Sequence, residues 1–191
     1  MNTLLVLGVN NYPDYSDIFT YDVEENRYIF IRHGKEKNSE IKKQIWNIFS
    51  LVECNLYENN CFANIKKSSI FLKQMETIEV KKYLRSIDRS LDKFLSPYSK
   101  DGLIMFSVDR VNDIINTPNK VEIEFYCKGK KYKFPIRDIK FLNYLTSDSS
   151  NFIENRKKAI NYINRKENDI YMIIHKFYEN QLPYISVIHS I

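Results

Sequence analysis

Apolar and polar residues alternate along residues 121–127, where the sequence reads VEIEFYC. Successive side chains of a β-strand point to opposite faces, so the apolar odd-numbered positions share one face. Lys128 and Gly129 follow, and Gly supplies the left-handed backbone that a two-residue turn requires. The pattern therefore predicts a β-hairpin over residues 121–137.

The alternation also predicts how the two strands of this hairpin pair. A two-residue turn places Phe125 opposite Tyr132, so that apolar side chains face each other. A three-residue loop would set Ile123 against Lys133, which disfavours it. Because Lys fits the first turn position poorly, a four-residue loop of the same parity stays open. The outer face and tip then carry one aromatic and four basic side chains: Tyr126, Lys128, Lys130, Lys131 and Lys133.

Elsewhere the apolar positions follow two periods. Period two and continuous apolar runs predict strands at 3–11, 21–34, 48–57, 103–114 and 169–191, the last being a pair joined at 178–183. A spacing of three and four predicts one or two helices over 76–96 and a helix over 151–166. Asn151 is suited to cap this helix with Glu154 as its reciprocal partner. Its predicted buried stripe consists of Phe152, Ile153, Ala159, Ile160 and Ile163.

These elements divide near 98–101 into two halves of similar size. Each half combines short antiparallel strands with a helix, which suits a small closed barrel that leaves no sheet edge. The five-stranded OB fold is one such barrel. On the pattern alone, an SH3-like barrel and an α+β sandwich are equally open.

Composition excludes several classes of protein. The chain has 191 residues with 4 Gly and 5 Pro, which predicts no long flexible linker, and its net charge is +5. An odd number of cysteines without a CxxC pair argues against a disulfide framework and a zinc ribbon. The first residues lack a basic segment, and their apolar run ends after about seven positions, too few for a signal peptide or membrane span. We therefore expect a cytoplasmic protein.

Motifs for catalysis or cofactor binding are missing from the sequence. Walker A, GxGxxG and HExxH patterns do not occur. His33, His175 and His189 are scattered, with no spacing typical of a shared metal. Cys54 and Cys61 are more typical of core or loop thiols than of ligands. We expect no metal, no cofactor and no enzymatic activity.

Five segments in order suggest a family: LLVLGVNN, YIFIR, FSLVECNL, VEIEFYCKGKKYKFPIRDIKFL and DIYMIIHKFYENQLPYISVIHSI. This order resembles the bacterial dual OB-containing domain family over nearly the whole chain. The resemblance implies a mainly β protein with helical insertions, made of two tandem OB-fold-like small barrels at 1–98 and 99–191. It also implies a nucleic-acid-binding or accessory module, sometimes linked to bacterial conflict systems such as phage defence.

The chain departs from this family near its first loop. Relatives carry a basic, glycine-containing loop at the position of residues 10–22, where this chain has Asp14, Asp17 and Asp22. Relatives also tend to carry Trp where Tyr28 stands. Phosphate binding by the first loop is therefore not expected.

Basic residues concentrate at 32–43 and 119–140, whereas residues 1–31 are mainly acidic. On an OB barrel, single strands lie across strands 2 and 3, with bases stacked on aromatics and cations along the phosphates. We therefore expect single-stranded nucleic acid, DNA or RNA, as the partner. The candidate contacts are the exposed aromatic and basic positions of the two halves: Tyr28, Arg32, Tyr126, Lys128, Lys130, Lys131, Lys133 and Arg137.

Two alternatives compete with this interpretation. The lysines are also typical of an edge hairpin that is kept soluble, and Arg32 is equally typical of a structural arginine. The modest net charge and the acidic first loop fit a protein–protein interaction subunit of a larger bacterial complex without direct nucleic-acid contact. A continuous positive groove over Tyr126 favours nucleic acid, while an exposed apolar patch favours a protein partner.

Overall fold

The computed structural model describes residues 1–34, 46–59, 62–65, 69–147, 151–176 and 182–191. Within these residues the fold is mainly β with helices, as the sequence predicts. The chain forms two compact units, Met1–Val80 and Lys81–Ile191. The polar loop expected at 35–43, Cys61 and most of the turn at 178–183 lie outside the described residues. No helix of the described part is long and apolar enough to span a membrane.

The first unit contains a seven-stranded sheet. In chain order its strands are β1 (Asn2–Asn11), β2 (Tyr15–Asp22), β3 (Arg27–Gly34), β4 (Ser50–Cys54), β5 (Leu56–Asn59), β6 (Phe62–Ile65) and β7 (Ile70–Gln74). They lie side by side in the order β5-β6-β3-β2-β1-β4-β7. Only the pair β3 and β6 is parallel among these neighbours. Because only Asn55 separates β4 from β5, one stretch of chain reaches both ends of the strand order.

The predicted bend at Glu25-Asn26 is the turn between β2 and β3. The Asp22 carboxylate accepts hydrogen bonds from the backbone N–H groups of Glu24 at 3.0 Å and Glu25 at 3.1 Å. Asn26 then has a φ of 54°, a left-handed conformation that Asn tolerates better than most residues. This turn aligns β2 with β3, and their apolar residues join a buried cluster with β1 and β4.

The second unit contains two three-stranded sheets. Its elements are α1 (Thr77–Ile87, which begins in the first unit), α2 (Leu91–Leu95), β8 (Leu103–Val108), β9 (Arg110–Thr117), β10 (Lys120–Cys127), β11 (Lys130–Pro135), α3 (Ile139–Thr146), α4 (Phe152–Ile163), β12 (Ile170–His175) and β13 (Tyr184–Ser190). The strand orders are β11-β10-β9 and β13-β12-β8. The chain passes from β8 into β9 through Asp109, and Ile136 forms a parallel bridge with Ile185. The two sheets are therefore connected on both sides.

The second compact unit begins earlier than the break expected at 98–101. The segment between α1 and α2 bonds to β8, because the Arg89 N–H donates to the Met105 carbonyl at 3.0 Å. The Asp88 carboxylate accepts from the backbone N–H and the hydroxyl of Ser107, both at 2.8 Å. These bonds attach the helical segment to the strands that follow it.

Helix α4 confirms the predicted element but not all of its details. Ala159 and Ile163 are buried as expected, whereas Ile153 is 67% exposed, so its assignment to the buried stripe is wrong. Asn151 occupies the N-cap without a capping bond from its side chain. Glu154 pairs with Lys158 at 2.6 Å one turn later, so the predicted reciprocal cap does not form.

Helix α3 was not expected from the sequence. Asp138 caps its first turn by accepting from the Phe141 N–H at 3.0 Å. The same carboxylate accepts from the Ile188 N–H of β13 at 3.1 Å. Burial raises the pKa of the Asp138 carboxyl above its ordinary value, against the opposing effect of these backbone hydrogen bonds. Asp138 thereby joins the start of α3 to β13.

Candidate nucleic-acid interface

The hairpin of β10 and β11 has the predicted register. Phe125 pairs with Tyr132, and Tyr126 pairs with Lys131. Lys128 has a φ of 51° and Gly129 a φ of 75°, so both turn residues are left-handed, as a type I′ turn requires. The two-residue turn is therefore confirmed over the four-residue alternative. The Gly129 N–H donates to the Asp109 carboxylate at 2.9 Å, which attaches the tip to the β8–β9 junction.

Tyr132 belongs to the inner face of the hairpin. Its ring centroid lies 5.9 Å from that of the fully buried Phe125 and 6.4 Å from that of Phe134. Its hydroxyl donates to the Asp92 carboxylate of α2. Burial and this carboxylate raise the pKa of Tyr132 to about 12. The tyrosine packs in the protein and does not offer a stacking platform.

On the outer face, Lys131 is paired with an acidic neighbour. It lies opposite Tyr126 and reaches diagonally to the Glu124 carboxylate at 2.9 Å. Asn112 of β9 also donates to Glu124. The hydrogen bond from Lys131 lowers the pKa of the Glu124 carboxyl below its ordinary value. The carboxylate therefore stays charged and balances this lysine near neutral pH.

The same pattern repeats along the hairpin. Glu122 is buried and accepts from Lys120 at 2.9 Å and from Lys133 at 3.2 Å. Lys130 pairs with Asp92 of α2 at 2.7 Å. Three of the predicted contacts therefore have carboxylate partners from this chain. The face carries far less net positive charge than its lysines alone indicate.

Tyr126 is the centre of the remaining positive surface. The guanidinium of Arg110, which is its direct neighbour on β9, lies 4.6 Å from the centroid of the Tyr126 ring. Arg110 and Lys128 are exposed, and neither has an ion pair with a carboxylate among the described residues. The sequence reading missed Arg110, because its place beside Tyr126 depends on a bulge between Glu124 and Phe125.

Arg137 lies away from this cluster. It follows the end of β11 remote from the turn, where its N–H donates to the Ile185 carbonyl at 2.7 Å. Its guanidinium lies 4.2 Å from the centroid of the Tyr184 ring. The structure therefore places Arg137 at the connection of the two sheets and not beside Tyr126.

In the first unit, Arg32 has a structural partner. It donates two hydrogen bonds to Asp17, at 2.8 Å from Nε and 3.0 Å from Nη2. Its guanidinium also lies 4.4 Å from the centroid of the Tyr15 ring. Tyr28 is half-buried and packs edge-to-face on Tyr21, with 5.1 Å between ring centroids. Asp17, one of the acidic departures from the family pattern, is thus the partner of the predicted arginine.

Among the described residues, no group of three or more His, Cys, Asp or Glu side chains is placed to hold a metal ion. Cys54 and Cys127 are buried free thiols. Neither thiol lies in an arrangement that identifies a reaction.

Comparison with known proteins gives only structural likeness. No family model and no curated protein matches the chain. The chain is similar to the Ifi202 HINa domain in complex with 20bp dsDNA, with a TM-score of 0.47 and 12% identity over 98% of this chain and 94% of that chain. It is also similar to the p204 HINb domain, with a TM-score of 0.48 and 7% identity over 99% and 95% of the two chains. Because these TM-scores are low, we infer nothing about this chain from those proteins.

Proposed function

We propose that the protein is a non-enzymatic module that binds nucleic acid through OB-fold-like barrels. The connectivity of the second unit supports this. β8 and β9 act as one bent first strand, β10 and β11 follow as a meander, and two helices precede the pair β12 and β13. The parallel bridge between Ile136 and Ile185 brings the third strand beside the last. This is the strand sequence of a five-stranded, partly open OB barrel.

The first unit supports the same proposal. β1, β2 and β3 form a meander, and β6 lies parallel to β3. The pair β4 and β5 acts as one bent fourth strand, since β4 joins β1 while β5 joins β6. Two barrels in tandem, and membership of the bacterial dual OB-containing domain family, are part of the proposal.

One observation carries the proposed binding role: the flanking of Tyr126 by Arg110 and Lys131 on the outer face of β9–β11. In an OB barrel this outer surface of strands 2 and 3 receives single strands. We propose that a base stacks on the Tyr126–Arg110 pair while phosphates contact Lys128 and Lys131. A preference for single strands and a role in phage defence belong to the same proposal.

The internal ion pairs limit this interface without closing it. Exposed ion pairs contribute only about 0–1 kcal/mol each, so a phosphate can replace Glu124 as the partner of Lys131. The displaced carboxylate stays nearby and repels the phosphate. Binding therefore depends mainly on the cations without such partners, Arg110 and Lys128.

The test is fluorescence anisotropy with a labelled oligothymidylate over a series of salt concentrations. The double variant Arg110→Gln/Lys128→Gln is expected to bind more weakly and to reduce the slope of log K against log salt by about 0.7 for each lost contact. The matched control is Lys100→Gln/Lys140→Gln, which removes two exposed charges of the same unit. No binding at low salt, or equal effects in both double variants, would overturn the proposal.

A second function has one observation in its favour. β7 is the last strand in its sheet order, and Ile70, Phe71 and Leu72 on it are 53%, 44% and 45% exposed. An edge strand with exposed apolar side chains can pair with an extended segment of another protein. This favours the alternative of a protein–protein interaction subunit. Co-elution in a larger complex from cells, lost in Phe71→Lys but kept in Tyr98→Lys, is the expected result if it is correct.

A further inference from the structure

A cavity of about 760 Å³ opens in the second unit between α3, α4 and the end of β13. We propose that it binds a nucleoside monophosphate group, as a planar ring with a phosphate attached. Its volume lies within the roughly 300–1,000 Å³ typical of small-molecule sites. None of its lining residues belongs to β9, β10 or β11, so the site is separate from the interface around Tyr126.

Aromatic side chains form opposite walls of the cavity. Phe141 and Tyr144 come from α3, and Tyr162 comes from α4. Tyr144 is 44% exposed and Tyr162 is 53% exposed. The Asn155 side chain of α4 donates to the Tyr144 carbonyl at 3.3 Å, which fixes the two helices beside each other. Exposed rings held in this way provide stacking faces for a nucleobase.

The charged groups in the lining are both cationic. Lys158 and Arg165 contribute to it, and no Asp or Glu is among its described lining residues. The Arg165 guanidinium lies 4.9 Å from the centroid of the Tyr162 ring. Lys158 lies one helical turn before Tyr162 and therefore on the same face of α4. A phosphate attached to a ring on Tyr162 would lie within reach of both cations.

One carboxylate approaches this site from outside the lining. Glu154 pairs with Lys158 at 2.6 Å, and both side chains are about 60% exposed. The hydrogen bond from Lys158 lowers the pKa of the Glu154 carboxyl, so it is charged near neutral pH. Because an exposed pair is weak, a phosphate can take its place at Lys158. Arg165 has no such carboxylate partner among the described residues.

The floor of the cavity decides against other ligand classes. Ala159 and Ile163 are buried there, and the small side chain of Ala159 leaves room above α4. An apolar ligand would take water from Lys158 and Arg165 without replacing its hydrogen bonds. A bare inorganic anion would leave the tyrosine faces unused. A ring that carries a phosphate satisfies both kinds of group.

The experiment is isothermal titration calorimetry of the full chain with AMP, adenosine and inorganic phosphate. AMP is expected to saturate one site, with adenosine and phosphate each binding at least about tenfold more weakly. Arg165→Gln is expected to weaken AMP binding about tenfold and leave adenosine unchanged, because it removes a charged hydrogen-bond donor. Tyr162→Ala is expected to weaken both. The matched control is Lys157→Gln, an exposed lysine outside the lining.

The source of the nucleotide is separated by a competition. An oligonucleotide with a 5′-phosphate that displaces AMP, while its unphosphorylated form does not, identifies the end of a strand as the ligand. Failure of both oligonucleotides to displace bound AMP identifies the free nucleotide. No heat of binding with millimolar AMP and no effect of Arg165→Gln on the phosphorylated oligonucleotide would overturn the inference. Arg110→Gln/Lys128→Gln leaves AMP binding unchanged, so this test is independent of the Tyr126 interface.

Discussion

Arg32 on β3 lies directly opposite Asp17 on β2 and holds its carboxylate through two hydrogen bonds. Asp17 is only 4% exposed, so loss of the arginine leaves a buried carboxylate without its charged partner. We expect Arg32→Met to lower the free energy of unfolding by about 2 kcal/mol. Urea denaturation measures this. A midpoint equal to that of the natural sequence would show that the pair has no structural role.

The turn at Lys128 and Gly129 gives a second prediction. Gly129→Ala places a Cβ on a left-handed residue and is expected to destabilise the protein by about 1 kcal/mol. Lys128→Asn is expected to raise stability slightly, since Asn adopts this conformation more readily than Lys. Gly34→Ala is the control, because a Cβ there meets no atom within 4 Å. Thermal unfolding of the three variants distinguishes backbone strain from a general effect of Gly substitution.

Removing an internal carboxylate is expected to strengthen binding if the Tyr126 face holds phosphates. Glu124→Gln releases Lys131 from its partner and is expected to tighten oligonucleotide binding and steepen the salt dependence by about 0.7. Glu79→Gln makes the same change in net charge beside Lys73, which belongs to β7. Anisotropy titrations compare the two. Equal gains in both variants would indicate a nonspecific effect of net charge.

Asp138 predicts a pH dependence of stability. Burial raises the pKa of its carboxyl in the folded protein, so between the unfolded value of about 3.9 and the folded value the folded state binds more protons. Stability from this group is therefore greatest below the unfolded pKa and falls as pH rises through the folded pKa. The difference in unfolding free energy between the natural sequence and Asp138→Asn should decrease across this window. Urea titrations at a series of pH values measure it, and an increase with pH would contradict the assignment.

The two described thiols are expected to react slowly. Burial raises the pKa of Cys54 and of Cys127 to about 11, and the thiolate is the reactive form. At pH 8, alkylation of both should be far slower in the folded protein than in urea. Peptide mass spectrometry after timed iodoacetamide treatment reads each cysteine separately. Rapid labelling of Cys127 in the folded state would show that its strand opens readily.

The hairpin was predictable because its signals are local. Alternation over seven residues and one Gly determine the register that pairs Phe125 with Tyr132. Helix α3 was not, although its cap Asp138 is visible in the sequence. Only Leu145 of this helix is recorded as buried, so its apolar stripe is weak, and it begins three residues after β11 ends. The strand signal before it conceals its start.

The candidate site was predictable only in part. The positions of Tyr126 and Lys131 on one face follow from parity, and the same parity already put Glu124 on that face. The pairing of Lys130 with Asp92 depends on a contact between α2 and β11, which are distant in sequence. The stacking of Arg110 on Tyr126 depends on a bulge that no local pattern announces. Long-range packing, not composition, therefore determines which cations remain without acidic partners.

The acidic residues of β10 act as built-in counterions. Long-range attraction of a polyanion depends on summed charge, and on this surface Glu122 and Glu124 remove much of that sum at a distance. Encounter with a passing polymer is then unsteered, and the rate of association stays close to that of a neutral pair. Heparin or bulk chromosomal DNA gains little from such a surface. Selectivity rests on the close fit of a ring over Tyr126, which acts only after contact.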